Sequence, residues 1–594
     1  MSLTCSSSAA AAAVAHDREL ISTLFRERIA SGDARPLLIG HSLVANFAIP
    51  CLYLAVPHRG RPWLYRARFL VAALVAVLNL EMARHTRSDN LAVTYATGIL
   101  AAWGTVWVLT SLVLRNPQYD AERVNKRPKQ PNGSARGRSD SDQSTPTMSS
   151  AASPERAYSS ALSSSGVEKG NGVSNGTTNG ITNCKTNGAT NGTTNGDGSA
   201  RPLLKRRRKS VRFLVPPDED IAESLFNNDM EYYWQAFPED ARFRERLSWA
   251  YDYYTSWRGS GWNFAIPTIP SFEPPRQSLS GELVQIETIP LRSRAGVSRP
   301  VSRRELLLTR LGRPVMAYLA LDICATLMKH DPYFRTGRHE VAPPPSAPLA
   351  PHLRPALLYI YRSFLAAMIV FNALWALFSL DQVLRRRLMT RLFGRDVRTE
   401  LWQYSDTFGS FVQILDHGLA GLWGRSWHQT FRIGFTAPSV LLLTGIKSKA
   451  AKKLMGSLVA FCISGAMHAT GSFTMPRGAR PWMPWLFFIL AWVGTVTQEG
   501  LYHGLGLDRV APRLPMVARR ALNLLFSCAW MLLTCWVFVD DMCRAGMWMF
   551  EPVPFSFARA AGLGMPGDED VWRIKEPLIY WHSGRHWWDT GLAA

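Results

Sequence analysis

Long runs of apolar residues without any charge recur along this chain, and the pattern predicts helices that cross a lipid bilayer. A transmembrane helix needs about 20 consecutive apolar residues. The six runs closest to that length are Leu37–Pro57, Leu91–Leu114, Ser363–Leu380, Leu454–Pro476, Pro481–Gln498 and Ala521–Val539. The sequence therefore predicts an all-α, polytopic membrane protein.

Three further segments are weaker candidates for the membrane. Phe69–Leu80 is short, and Pro314–Met328 carries Asp322 near its middle. An ionisable group inside a membrane must face protein or water, so we expect Asp322 to be buried and hydrogen-bonded. Ile433–Ile446 is short and contains Pro438, which predicts a re-entrant segment or half-span. Together the patterns predict about eight transmembrane helices plus one re-entrant segment.

The first 36 residues are predicted to form an N-terminal tail with an amphipathic helix. Apolar residues recur at helical spacing beside a charged face, namely Leu20, Ile21, Leu24, Phe25 and Ile29. The run of alanines before them lacks a preceding basic region, so we do not predict a signal peptide. Residues 37–115 then hold three transmembrane helices.

Residues 116–212 read as a disordered, basic linker rich in Asn, Gly and Ser. Its Asn-Gly repeats have no flanking apolar strands, so they do not predict hairpins. Basic loops are retained in the cytosol. The linker, the loop Pro57–Arg68 and the arginines between 385 and 398 all fall on one side of the predicted membrane. We therefore expect these segments to be cytosolic.

Composition narrows the class of protein. Lys and Arg number 67 against 45 Asp and Glu, a net charge of +22. Such a balance suits a nucleic-acid binder, but 21 Trp and 27 Phe fit a membrane protein with basic loops better. We expect a lipid bilayer and no nucleic acid as partner. The eight cysteines form no CxxC pair, and we predict no metal site and no cofactor.

Two histidines are candidates for chemistry. His468 lies within an uncharged run, where an ionisable group is costly and needs a reason. The alternative is a histidine that merely bonds a neighbouring helix. His428 lies in Gly421–Arg432, which holds two Trp and two Arg and also fits an aromatic belt at the membrane interface. The position of His428 between Trp427 and Gln429 also fits a polar group that is held in an enclosed pocket.

Four motifs in one order resemble a known family. They are RGSGWN (258–263), LWGRSWHQTFR (422–432), ISGAMH (463–468) and WHSGRHWWDTG (581–591). Across residues 225–591 the chain resembles fungal members of the wax synthase-like branch of the membrane-bound O-acyltransferases (MBOAT). Residues 213–594 are accordingly predicted to be a wax synthase-like acyltransferase domain.

This resemblance implies a helical bundle of the MBOAT type, in which acyl-CoA donates an acyl group to an acceptor hydroxyl inside a membrane chamber. His468 matches the histidine of that family. His428 falls where many relatives carry Asn. Among rival motifs, His503 and Asp508 have the H-x4-D spacing of glycerol-phosphate acyltransferases, but the preceding residue is Tyr502 and the match is expected by chance.

The chemistry assigns roles to these residues. A neutral histidine at position 468 can take the alcohol proton, and His428 or Gln429 can stabilise the oxyanion. Arg425 and Arg432 can meet the phosphates of coenzyme A, or serve only as membrane anchors. We expect Trp427 to shape the donor site.

The motif RGSGWN is predicted to be structural instead. Its Arg258, Trp262 and Asn263 belong to a glycine-flanked Trp-Asn segment, which often makes a buried turn.

The predicted function is transfer of an acetyl or longer acyl group from acyl-CoA to a hydrophobic alcohol. The acceptor is a terpenoid, another secondary metabolite or a fatty alcohol, and the expected location is the endoplasmic reticulum. Two other classes stay open, a membrane transporter and a non-catalytic membrane scaffold. A transporter often shows internal repeats with matching broken helices, and the sequence shows none.

Overall fold

The computed structural model describes residues 2–129 and 230–594. Within the second range it leaves out residues 276–279, 346, 395, 477, 505, 507–508, 510–512 and 575–576, and it describes no side chains before residue 12. The long helices are α1 Ser2–Ser31, α2 Ile39–Leu54, α3 Pro62–His85, α4 Leu91–Leu114, α5 Phe243–Thr255, α6 Arg303–Lys329, α7 Pro355–Phe393, α8 Val412–Gly421, α9 Arg432–Leu442, α10 Lys449–Phe473, α11 Trp482–Gly504 and α12 Met516–Arg544. Single helical turns lie at Pro117–Asp120, Tyr333–Thr336 and Phe557–Ala560.

Six helices in the described part of the chain are long and apolar enough to cross a membrane. They are α3, α4, α6, α7, α10 and α12. The prediction of a polytopic helical membrane protein is confirmed, with six such helices rather than about eight. Two of the three weaker candidates, Phe69–Leu80 and Pro314–Met328, lie within members of this set.

Two of the stronger candidates fall outside it for physical reasons. The run Leu37–Pro57 forms only α2, which at 1.5 Å per residue reaches about 24 Å, short of the ~30 Å core of a bilayer. The run Pro481–Gln498 forms α11, which is 23 residues long. The tryptophans, proline and glutamine of α11 lower its mean hydropathy. The predicted re-entrant segment forms α9, with Pro438 inside the helix.

Asp322 is buried and hydrogen-bonded within α6, as expected. Its carboxylate accepts a hydrogen bond from Ser556 Oγ at 2.5 Å and one from the backbone N–H of Ala558 at 2.8 Å. The carboxylate thereby accepts from a backbone N–H that has no partner within the first turn of the short helix Phe557–Ala560. The role of Asp322 is to hold the C-terminal segment against the membrane helices.

Short strands tie distant segments together. β1 Arg35–Pro36 pairs with β2 Thr86–Arg87 in parallel, and β6 Tyr580–His582 pairs with β7 Gly591–Ala593. A three-stranded antiparallel sheet combines β3 Arg123–Pro128, β4 Met230–Gln235 and β5 Leu283–Val284.

The sheet corrects the predicted start of the linker. Disorder was expected from residue 116, yet Pro117–Asp120 is a helical turn and β3 follows it. The reason is burial, because Val124 and its strand partner Trp234 both pack into an apolar cluster with Trp402. Residues 130–212 of the predicted linker lie outside the described residues.

Both termini pack against the protein at one end of the bundle. The predicted N-terminal helix is present, but its Val14 and Ile21 are buried against protein, and Arg18 bonds Glu551. At the other terminus, the backbone N–H of Ala594 donates to the Leu37 carbonyl at 3.0 Å. Since β1 pairs with β2 at the end of α3, the C-terminus lies opposite the basic loop 57–68, which precedes α3.

The helix that carries His468 lies at the centre of the bundle. α10 packs against α4, α9 and α11, while α4 also packs against α3, and α11 also packs against α12. The loop with His428 joins α8 to α9. The fold therefore brings an N-terminal helix, α4, into direct contact with the helix of the predicted catalytic histidine.

Candidate active site

His468 is held by three aromatic residues from three different helices. The Tyr95 hydroxyl of α4 lies 3.2 Å from His468 Nδ1. On α11, the Phe488 ring stacks on the imidazole at 4.8 Å with an interplanar angle of 17°. On α12, Phe538 meets it edge-on at 5.6 Å. His468 is only half-buried, so part of its surface stays accessible.

Glycines allow α4 and α10 to come this close. A Cβ on Gly98 would lie 2.3 Å from the Thr470 carbonyl oxygen, and a Cβ on Gly471 would lie 2.9 Å from Tyr95 Cζ. The Thr474 hydroxyl also donates to the Thr94 carbonyl at 2.8 Å. Small residues let membrane helices approach backbone to backbone. This crossing places the phenol of Tyr95 within hydrogen-bonding reach of the imidazole.

His428 is enclosed by aromatic rings. Its ring centroid lies 5.2 Å from Phe378, 5.9 Å from Phe408 and 5.6 Å from Phe431. In the described part of the chain its Nδ1 is buried without a hydrogen-bond partner. The loop lies outside the six candidate spans, and burial lowers the pKa of His428 to about 3, with smaller contributions from His468 and Arg258. This imidazole is therefore neutral at physiological pH.

A wall of rings joins the two histidines. His428 neighbours Trp427 at 5.5 Å, and Trp427 neighbours Trp423 at 6.1 Å. Trp423 in turn lies 6.0 Å from Phe488, which stacks on His468. The structure thus brings both predicted catalytic residues to one aromatic site, with Trp427 in the wall between them.

Gln429 and Arg432 hold the shape of this loop. The two amide hydrogens of Gln429 are donated to the carbonyls of Trp423 at 2.8 Å and Trp427 at 2.9 Å. Arg432 donates to Gly424 O at 2.9 Å and to Gln429 Oε1 at 3.0 Å. With both hydrogens engaged, Gln429 offers none to an oxyanion in this conformation. Arg432 likewise points its guanidinium at the loop.

Arg425 is the exposed cation of the same loop. Its guanidinium lies 3.2 Å from Gln413 Oε1 and 2.6 Å from His417 Nε2. Among the residues that the structure describes, no carboxylate pairs with it. Its charge is accordingly available to an anionic group arriving from outside.

Residues of the motif RGSGWN bond other parts of the protein, which agrees with the structural role predicted for it. Arg258 donates to the carbonyls of Asp406 at 2.6 Å and Ser405 at 2.9 Å. Asn263 Nδ2 donates to the Asp120 carbonyl at 2.7 Å, and the indole of Trp262 donates to Ser256 at 3.2 Å. These bonds connect the motif to Asp120, which follows α4, and to residues 405–406, which precede α8 and the His428 loop. Of the rival pair, His503 lies on α11 and Asp508 lies outside the described residues.

Sequence reasoning missed several residues of the site. Tyr95 is the main one, although a hydroxyl inside the uncharged run Leu91–Leu114, three residues before a glycine, was a usable signal. The described residues also include buried indole nitrogens without partners on Trp103, Trp257 and Trp423. Trp103 and Trp257 both contact Phe431, which borders His428. These N–H groups are potential donors to a bound molecule.

Comparisons with known proteins point to one family. Residues 404–490 match the model of the membrane bound O-acyl transferase family, and both histidines lie within that range. An acetyltransferase of Rhodocybe pseudopiperita is 26% identical over 339 residues, which cover 54% of this chain and 76% of the relative.

Two O-mevalon transferases are also similar to this chain. The protein of Penicillium terrestre is 22% identical over 48% of this chain and 60% of its own length. The protein of Aspergillus niger is 25% identical over 39% of this chain and 47% of its own length. The chain thus spans between about half and three quarters of these relatives. No solved structure matches the chain.

Proposed function

We propose that this chain is a membrane bound O-acyl transferase and that it transfers an acyl group from an acyl-CoA to the hydroxyl of a hydrophobic alcohol. The match of residues 404–490 to the model of that family supports the proposal. The observation that carries the proposal is the pair of histidines on one aromatic wall, His468 inside a membrane helix and His428 beside it. Neither imidazole forms an ion pair with any described carboxylate, so no neighbouring carboxylate favours the cationic form of either ring.

His468 is the general base in this mechanism. Its Nε2 takes the acceptor proton as the hydroxyl oxygen attacks the thioester carbonyl carbon. The tetrahedral intermediate then expels the thiolate of coenzyme A, which receives the proton back from Nε2. The net reaction converts an alcohol and an acyl thioester into an ester and a free thiol. The aromatic wall keeps water from competing with the alcohol.

His428 stabilises the oxyanion. A donor aimed at the developing negative charge is worth most in a site that excludes water. The buried Nδ1 of His428 has no partner among the described residues, whereas the amide hydrogens of Gln429 are already engaged. A substrate oxygen would relieve the cost of that unpaired nitrogen. Of the two predicted oxyanion donors, the geometry favours His428.

The donor enters beside the loop 422–432. Arg425 is exposed, and a guanidinium pairs well with phosphate, so it is the candidate contact for coenzyme A. Trp427 lines the wall next to His428. Gln429 and Arg432 contribute by fixing the loop. In this proposal the protein lies in the endoplasmic reticulum membrane, and acyl-CoA reaches loop 422–432 from the cytosol.

The acceptor is proposed to be an oxygenated secondary metabolite such as a terpenoid alcohol. The indole N–H groups of Trp103, Trp257 and Trp423 have no partner in the described chain. An acceptor with several oxygens can bond them, whereas a fatty alcohol offers a single hydroxyl. The similar proteins named as acetyl and mevalon transferases favour a short acyl group over a long one.

The test uses microsomes that contain the full chain, labelled acetyl-CoA or palmitoyl-CoA, and a panel of terpenoid, polyketide, sterol and fatty alcohols. We expect a labelled ester from the wild type and none from His468→Ala at equal protein level. His503→Ala is the matched control, since it removes a helical histidine away from the site. An ester that persists in His468→Ala and disappears in His503→Ala would reject this mechanism. The absence of any ester would favour a transporter or scaffold.

A further inference from the structure

The contact between Tyr95 and His468 involves two atoms of the histidine. The phenol oxygen lies 3.2 Å from Nδ1 and 3.4 Å from the backbone carbonyl oxygen of His468. A phenol has one hydrogen to donate and can also accept. Both contacts are hydrogen bonds only if the phenol donates to the carbonyl while Nδ1–H donates to the phenol. That arrangement leaves the lone pair of the neutral imidazole on Nε2.

The surroundings fix the phenol and the imidazole against each other. Tyr95 is 8% exposed, and Gly471 leaves just enough room for its ring. On the other side of the imidazole, Phe488 stacks at 4.8 Å and Phe538 closes the edge. The imidazole therefore has a fixed plane. In the described part of the chain no side chain bonds its Nε2, and the half-buried ring keeps accessible surface.

We infer that Tyr95 is a positioning residue that orients His468 and keeps the proton of the neutral ring on Nδ1. The inference rests on the proposed acyl transfer. The hydrogen bond made by one ring nitrogen of a histidine decides which tautomer is present. With Nδ1 protonated, Nε2 can accept the proton of the acceptor hydroxyl as the new C–O bond forms. When the C–S bond breaks, the same proton leaves Nε2 for the sulfur.

The phenol keeps its own proton throughout this cycle. It donates to a backbone carbonyl and accepts from Nδ1, so neither bond changes partner when Nε2 gains or loses its proton. The bond from Nδ1 strengthens when the ring becomes cationic, because charge-assisted hydrogen bonds are stronger than neutral ones. Tyr95 thus favours the state that forms during attack, without touching either substrate.

A purely structural role makes different predictions. If the phenol only fastened α4 to α10, its loss would reduce the amount of folded protein and would leave the turnover of the remaining enzyme unchanged. Tyr318 provides the matched case, since it lies on α6 and its hydroxyl donates to the Phe555 carbonyl at 2.5 Å. Tyr95 is buried and Tyr318 is half-buried, both lie on candidate membrane helices, and only Tyr95 contacts the histidine.

The experiment compares Tyr95→Phe with Tyr318→Phe in the purified full chain, after the wild-type ester has been shown to require His468. For Tyr95→Phe we expect kcat to fall about tenfold, the effect of one hydrogen bond, with KM unchanged for donor and acceptor. For Tyr318→Phe we expect kcat per folded enzyme to stay at the wild-type value. Gel filtration gives the folded amount of each variant.

Two outcomes would overturn the inference while leaving the proposed function intact. One is a wild-type kcat in Tyr95→Phe. The other is a loss of ester that matches the loss of folded protein, which would assign Tyr95 to helix packing alone. An absence of any His468-dependent ester in the wild type would instead overturn the proposed function and this inference together.

Discussion

His468 and His428 lie on one aromatic wall but are held in opposite ways. His468 belongs to a long helix, and a hydroxyl from another helix bonds its Nδ1. His428 belongs to a loop, four rings enclose it, and its Nδ1 has no partner among the described residues. A bonded nitrogen fixes the proton on a base, whereas an unbonded buried nitrogen is available to a ligand. In the proposed mechanism this difference makes His468 the base and His428 the oxyanion donor.

The largest effect should come from the base. His468→Ala removes the proton acceptor and leaves the aromatic wall in place. We expect kcat to fall by about 100- to 10,000-fold, the range for loss of general base catalysis. Initial rates of labelled ester formation check this value in microsomes with matched protein levels. A smaller loss than that of His428→Phe would reverse the two assignments.

The second effect tests the oxyanion donor. His428→Phe keeps an aromatic ring among its neighbours but removes the N–H, so we expect kcat to fall about 100- to 1,000-fold. His428→Asn restores a donor and should retain most of the activity. Steady-state rates for both variants check the comparison. If Asn and Phe were equally inactive, the shape of the imidazole would matter more than its hydrogen.

The third prediction concerns Gly471, which leaves room for the Tyr95 ring beside His468. Gly471→Ala places a Cβ 2.9 Å from Tyr95 Cζ, so the phenol must move away from Nδ1. We expect kcat to fall roughly tenfold, as for one lost hydrogen bond. Gly456→Ala on the same helix is the control, because its Cβ meets only ordinary contacts at 3.7 Å. Equal kcat values in the two variants would contradict the role given to this contact.

The sequence predicted the helical class from local apolar runs and the resemblance to the matched family from local motifs. The catalytic roles of His468 and His428 stay predictions. It did not predict the bond to Tyr95, because that bond joins residues 373 positions apart and requires a glycine crossing of two helices. It also named Gln429 as an alternative to His428 for the oxyanion donor, and it did not predict that the loop engages both amide hydrogens of Gln429. The number of spans differs from the prediction because the run Leu37–Pro57 forms a helix too short to cross a bilayer and because α11 is less apolar than the six candidate spans. The wax synthase branch remains a prediction.

The fourth prediction distinguishes Arg425, the exposed cation of loop 422–432, from Arg432, which holds the shape of that loop. Arg425→Ala removes a charge that no carboxylate of the described residues pairs with, so we expect KM for acyl-CoA to rise several-fold with kcat unchanged. The rise should shrink at high salt, since exposed charges are screened. Arg432→Ala breaks two bonds within the loop and should lower the folded yield instead. Titration of acyl-CoA at two salt concentrations checks both variants.

The smallest effect is expected from a deletion between β3 and β4. The end of β3 and the start of β4 are direct partners, with Pro128 opposite Met230, so residues between them close a loop at one place in the sheet. Shortening a loop changes its closure entropy only slowly with length. Deleting residues 130–200 should therefore leave ester formation within about twofold of the wild type. Deleting residues 123–128 is the contrasting variant, because it removes buried Val124 and the whole of β3. Folded protein without activity after the longer deletion would place part of the linker in the reaction, and the comparison of the two histidines would then describe an incomplete site.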